Sequence, residues 1–171
     1  MMAASVARTF ASNLKYMYTR PLIINALRTN ANHAEQLCNT SPDSYFGALG
    51  AALKTGAMVR STDPAVVPTA TAPAYDAAAG AIVMKWGQAL GKVKLGLMAA
   101  GGAVLLPLTK GGAPPIPVML LAAAVAGGFV WLFFYKAEVE SCMVRARAEI
   151  LPEVDRAFAG GRYVFPPLPP T

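Results

Sequence analysis

From Pro117 to Tyr135 the chain reads PVMLLAAAVAGGFVWLFFY, nineteen positions without a charge that end in a cluster of aromatic rings. A helix rises about 1.5 Å per residue, so this stretch covers roughly 28 Å, close to the ~30 Å hydrocarbon core of a bilayer. It predicts a transmembrane helix. Upstream, residues 95–108 (LGLMAAGGAVLLPL) form a second uncharged run. Ile82, Trp86, Leu90, Val93 and Leu97 lead into it as an apolar stripe, with Lys85, Gln88 and Lys92 on the other side. Fourteen residues are short for a span, although Lys92 and Lys94 can snorkel toward the head groups and lengthen it. Two arrangements follow. In one, a single helix crosses at 117–135 while residues 77–106 lie on the surface or against a partner. In the other, 90–108 and 117–135 form a hairpin around the turn TKGGAPPI. Charge placement favours the hairpin: Lys85, Lys92 and Lys94 precede it, Lys136, Arg145 and Arg147 follow it, and only Lys110 lies between. The positive-inside rule then sets both termini on one side.

The remaining patterns are helical and short. The first twenty residues contain no acid and are rich in Ser, Ala and Arg. Val6, Phe10, Leu14 and Met17 recur at helical spacing, with Arg8 and Lys15 off that stripe. This segment resembles a mitochondrial presequence and lacks the continuous apolar run of a secretory signal. A plastid transit peptide is the competitor on composition, and an import helix that stays on the protein fits a mitochondrial subunit better. Pro21 opens a second helix, with Leu22, Ile23, Leu27, Ala31 and Ala34 on a weak apolar face to about Leu37. Ser41 is the expected cap of a third, with Pro42 at its first position and Asp43 at the positive dipole end; the helix carries Tyr45, Phe46, Leu49 and Leu53 to about Val59. Residues 61–75, STDPAVVPTATAPAY, read as an extended, polyproline-like linker, and Asp76 as the cap of the next helix. Beyond Tyr135 the helix continues outside the membrane with Val139, Met143, Ala146, Ile150, Val154 and Phe158 on one stripe. Lys136–Glu140 and Arg145–Glu149 are i,i+4 pairs worth about 0.2–0.5 kcal/mol each. Pro152 kinks or restarts this helix and Gly160-Gly161 ends it.

The predicted fold is therefore an all-α membrane protein with short amphipathic helices and extended Pro-rich arms. Its organisation is 1–59 N-terminal amphipathic helices, 60–75 linker, 76–135 membrane hairpin region, 136–159 amphipathic helix and 160–171 Pro-rich tail. Composition agrees: 14% of residues are charged and 55% apolar, against a typical charged share of about 25%. The net charge of +6 is uneven, since Arg8, Lys15, Arg20 and Arg28 all precede the first acid, Glu35. Four such charges are too thin a footprint for nucleic acid and suit targeting or anionic lipid. Cys38 and Cys142 fall in no paired spacing and read as packed, reduced thiols.

No catalytic constellation emerges. His33, Glu35 and Cys38 are close in sequence, but a zinc site needs three or four ligands, and no further histidine or nearby thiol completes the set. Ser12-Asn13-Leu14-Lys15 matches an SxxK spacing without its companion motifs, and Lys110-Gly111-Gly112 has the wrong order for a phosphate loop. Small residues carry more information. Ala123 with Gly127 and Ala124 with Gly128 set a smooth ridge on the second arm, and Gly96 with Ala100 does so on the first; such ridges let helices pack in lipid. Trp131, Phe133, Phe134 and Tyr135 form an interface belt. Lys92, Lys94, Lys136 and Arg145 are candidates to hold an anionic head group such as cardiolipin. No charge lies inside either apolar run, which argues against a proton or ion path.

In layout the chain resembles supernumerary subunits of mitochondrial inner-membrane complexes, which combine an import helix, one or two membrane helices and an extended proline-rich arm. That resemblance implies a non-catalytic accessory subunit of a respiratory-chain complex, both termini on the matrix side, contributing to assembly and stability. The expected partners are other subunits and membrane lipid, with no nucleic acid, no small-molecule substrate and no cofactor beyond bound phospholipid. The alternatives are an ATP synthase subunit involved in dimerisation or membrane shaping, and a protein-import or membrane-organising component.

Overall fold

The computed structural model describes residues 16–108 and 116–165. Within them the chain is all-helical: α1 Tyr16–Thr29, α2 Ala31–Asn39, α3 Tyr45–Val59, α4 Val67–Leu108, α5 Ile116–Glu149 and α6 Leu151–Ala159. Two compact units emerge, one from the described residues up to Val83 and from Glu138 onward, the other from Met84–Ala137. The import-like stripe of Val6, Phe10 and Leu14 and the prolines after Phe165 lie outside the described residues.

Several helix boundaries differ from the sequence expectation, each for a local reason. The helix expected from Pro21 to about Leu37 is two helices that meet at Asn30. Asn30 is extended and its side chain accepts from the backbone N–H groups of Asn32 and His33, so it caps α2. Pro21 is not in a first turn but inside α1. For α3 the cap is Ser44, not Ser41. Ser44 Oγ accepts from the Phe46 N–H at 3.3 Å and donates to the Ser41 carbonyl at 2.8 Å. Pro42 and Asp43 therefore belong to the preceding turn, which packs on the helix at Gly47; any Cβ there would collide with the Pro42 carbonyl.

The largest correction concerns the linker. From Val67 onward it is helix, and Asp76 lies within α4 rather than capping it. Pro68 falls in the first turn, where its missing N–H has no partner to lose. Pro73 removes the bond to the Thr69 carbonyl, but both residues are exposed, so water reaches that carbonyl. The same logic covers Pro21 and Met17 in α1, both exposed. What holds this part of α4 helical is a buried face made by Val67, Thr71, Tyr75 and Ile82.

In the first unit α1 packs on α2 and α6, α2 on α3, and α3 on α6. Ile23, Leu27, Leu49, Leu53, Ile150, Val154 and Phe158 fill its core. Buried tyrosines need a partner for the hydroxyl, and here they have one. Tyr75 donates to the Met143 carbonyl at 2.8 Å, Tyr163 to Glu35 Oε2 at 2.6 Å and Tyr16 to Glu149 Oε2 at 3.1 Å, while Tyr45 shares a hydrogen bond with Thr19. Glu149 is also taken by Arg20 of α1 at 2.6 Å.

Pro152 restarts the helix as expected: α5 ends at Glu149 and α6 carries its proline in the first turn. Gly161, at φ 65°, ends α6 in a Schellman-type cap, with Arg162 N–H to the Ala157 carbonyl and Gly161 N–H to that of Phe158. The chain after it is irregular and docked. Asn32 bonds both backbone groups of Val164 at 2.8 Å, and the buried Tyr163 ring lies 4.8 Å from Phe158.

Candidate functional site

The sequence singles out the uncharged runs 95–108 and 117–135, and the second unit, Met84–Ala137, contains both. One helix among the described residues is long and apolar enough to cross a membrane. Its best window has a mean hydropathy of 2.1 and only 11% of that window is buried in the molecule. A soluble core helix of that composition would be mostly buried. Met119, Leu120, Leu121, Val130, Phe133 and Phe134 of α5 are instead exposed, as are Leu95 and Met98 of α4.

Contacts within this unit run antiparallel. Trp86 of α4 meets Tyr135 of α5 edge to face at 5.9 Å, and Tyr135 stacks on Trp131 at 5.4 Å. Further along, Leu97 fills the space over Gly128, where a Cβ would come within 3.0 Å of Leu97 Cδ2, and Val125 stands 3.7 Å from the corresponding point on Gly101. The predicted small-residue group is thus divided. Gly128 receives a leucine side chain, a knob-in-gap contact rather than ridge against ridge. At Gly96 and Gly127 nothing lies within 4 Å of the point a Cβ would occupy, and Ala123 and Ala124 are exposed. Ala100 lies in α4, its side chain outside the described set.

The belt divides as well. Phe133 and Phe134 are 73% and 66% exposed and Trp131 39%, whereas Tyr135 is buried between the two tryptophans. Trp86 belongs with these residues; the stripe through Ile82, Trp86 and Leu90 is the signal that places it. Lys92, Lys94 and Lys136 are exposed members of this unit, while Arg145 belongs to the other. Between Asp76 and Glu138 the chain carries five lysines and no acidic residue.

Several titratable groups of the first unit have shifted properties. Glu153 is held between Arg28 and Arg156, at 2.9 and 2.8 Å. The Arg28 hydrogen bond first, then the charges of both arginines, keep its carboxyl below the usual carboxylate range against a smaller opposing effect of burial. Asp76 is lowered by its hydrogen bond from Arg147, at 2.6 Å. Asp155 moves the other way, raised by burial despite accepting from Thr71 Oγ1 at 2.6 Å. Burial pushes both thiols up to about 12, with Glu35 adding to the effect at Cys38 and Glu138 at Cys142. His33, Glu35 and Cys38 do not assemble: His33 is exposed, Glu35 accepts from Tyr163 and Cys38 is buried under Gly50. Among the described residues no three His, Cys, Asp or Glu side chains gather as a metal set. A shallow groove of about 410 Å³ follows α1, lined by Met17, Arg20, Pro21, Ile24, Asn25 and Arg28. Comparison with protein-family models, curated proteins and solved structures finds no match.

Proposed function

We propose that this protein is a non-catalytic accessory subunit of a mitochondrial inner-membrane respiratory-chain complex. Residues 90–108 and 117–135 would cross as a hairpin with both ends on the matrix side. The observation that carries the membrane part is the exposed apolar surface of α5, which water cannot solvate cheaply and a bilayer can. The antiparallel contacts from Trp86–Tyr135 to Gly101–Val125 support the hairpin over the single crossing. The organelle rests on the acid-free, amphipathic first twenty residues.

In this reading the first unit is a small helical module that docks on neighbouring subunits, and the hairpin fastens it to the membrane. Blue-native electrophoresis of mitochondrial membranes with mass spectrometry tests the assignment. Co-migration with a respiratory complex is expected, and co-migration with the ATP synthase or an import complex would replace it. Protease added to intact mitoplasts should leave both ends uncut; trimming of either end would reverse the topology.

A further inference from the structure

The contacts in the second unit fix how α4 lies against α5, and the register has a consequence for the depth of the lysines. Advancing along α4 from Trp86 through Leu97 to Gly101 means retreating along α5 from Tyr135 through Gly128 to Val125. Lys92 and Lys94 fall between Trp86 and Leu97. They therefore stand beside the Gly128–Tyr135 stretch that carries the aromatic rings. Two residues apart on a helix, they leave α4 in directions about 200° apart. This level is thus basic on both sides of α4 and aromatic on α5. No acid within the unit offsets the charge.

We infer that this collar, Lys92 and Lys94 with Trp131, Phe133 and Phe134, is the water–lipid boundary of the hairpin and takes the phosphates of anionic phospholipids. This rests on the hairpin reading above and shortens the part of each arm that lies in the hydrocarbon. With the boundary there, the apolar lengths left are 95–108 and 117–130, fourteen residues each. That is about 21 Å of helix, well short of the ~30 Å hydrocarbon core of an ordinary bilayer. The hairpin is then matched to a thin bilayer or thins its surroundings. Phe133, Phe134 and Tyr135 lie within about 6 Å outside Trp131, inside the head-group layer where aromatic rings are favoured. The competing placement, with the hydrocarbon reaching Tyr135, buries both lysine attachment points and makes both side chains snorkel.

The chain has two tryptophans, one at each level in question. The full chain is reconstituted into phosphatidylcholine vesicles containing phosphatidylglycerol, with bromines near either the ester carbonyls or the chain middle. In Trp86→Phe, the remaining Trp131 should be quenched most by carbonyl-proximal bromines. In Trp131→Phe, the remaining Trp86 should escape both. Trp131 quenched best by mid-chain bromines, with Trp86 quenched near the carbonyls, would place the boundary about 6 Å further out and overturn the inference while keeping the hairpin. No quenching of either, with release by alkaline extraction, would remove the membrane reading itself. Should Trp86→Phe lose helicity by circular dichroism, the wild type compared with Trp131→Phe isolates the same signal. For the ligand, brominated phosphatidylglycerol should quench Trp131 in preference to brominated phosphatidylcholine. That preference should fall about fivefold per lysine in Lys92→Gln and Lys94→Gln. Equal quenching by the two lipids in the unsubstituted collar would refute the assignment of anionic head groups.

Discussion

Gly56 sits in α3 against a ring that cannot move away, which makes Gly56→Ala a sensitive test of the packing between α3 and α6. A Cβ at this position would lie 2.5 and 2.7 Å from Phe158 Cε2 and Cζ. Phe158 is fully buried, with the tilted Tyr163 ring 4.8 Å away and Phe165 stacked at 6.2 Å, so the ring has no solvent side to swing toward. Overpacking of this kind costs about 1–3 kcal/mol. Against it stands the helix-propensity gain of alanine over glycine, about 1 kcal/mol. With a ring that cannot swing away the overpacking term should win, leaving a net loss of up to about 2 kcal/mol. Gly80 supplies the control: it is helical and exposed, with nothing within 4 Å of its Cβ position. Gly80→Ala should therefore gain about 0.5–1 kcal/mol. The assay is thermal unfolding of the full chain in detergent, followed by near-ultraviolet circular dichroism. A domain of 60–100 residues moves by about 4–8 °C for each kcal/mol. Adding Phe158→Leu to Gly56→Ala should recover part of the loss through a coupling of about 0.5–3 kcal/mol. If Gly56→Ala proves as stable as Gly80→Ala, or the double variant loses the full sum, the contact between α3 and α6 is wrong.

Tyr75→Phe removes a buried bond to the Met143 carbonyl and should cost about 0.5–1.5 kcal/mol; no change in melting temperature would mean that the two helices are not joined there. Glu153 has a folded-state pKa below its unfolded one, so its contribution is complete above the unfolded value and disappears as pH falls through the folded one. Glu153→Gln should flatten the loss of stability that sets in as pH falls below the usual glutamate range, and an unchanged slope would contradict the assignment. Asp155 has the opposite sign, since burial raises its folded pKa; Asp155→Asn should stabilise at neutral pH if Thr71 keeps its hydrogen bond. Both thiols are buried and pushed up to about 12, so Ellman's reagent should label them only as fast as the first unit opens, and rapid stoichiometric labelling of the native protein would disprove their burial.

The apolar pattern makes the helical class and the long run at 117–135 legible, because a span-length segment has few alternative explanations. The stretch 61–75 reads as a linker because its prolines outweigh its spacing. Val67, Thr71, Tyr75 and Ile82 recur at helical intervals, but Thr71 and Tyr75 do not count as apolar in a simple pattern. Their burial depends on partners elsewhere in the chain, Asp155 for Thr71 and the Met143 carbonyl for Tyr75. Likewise Glu149 has the spacing of an i,i+4 partner for Arg145, whereas the fold gives it Arg20 and Tyr16 from α1. Caps depend on which of several small polar residues the turn selects, and Ser41 and Ser44 are hard to separate without the turn itself. At the candidate site the residue types are readable and their grouping is not. Nothing in the order of residues says that Lys92 and Lys94 stand level with Trp131, or that Tyr135 turns inward while Phe133 and Phe134 stay outside.

The exposed side chains of the second unit also bear on what covers them. Met84, Leu95, Met98, Ile116, Met119, Leu120, Leu121, Val130, Trp131, Phe133 and Phe134 are all exposed large apolar residues. Burying a side chain of this size is worth about 1.5–3 kcal/mol. Covering even half of them therefore amounts to roughly 10 kcal/mol, as much as the net stability of an ordinary domain. Such a surface is not left in water. A single protein partner covers one face, whereas Met119, Leu120 and Leu121 are consecutive and spread over about 200° of the helix. Phe133 and Phe134 point about 100° apart on the same helix. Acyl chains surround a helix in this way and one docking groove does not. The distribution of exposed residues around α5 therefore favours lipid as its main cover.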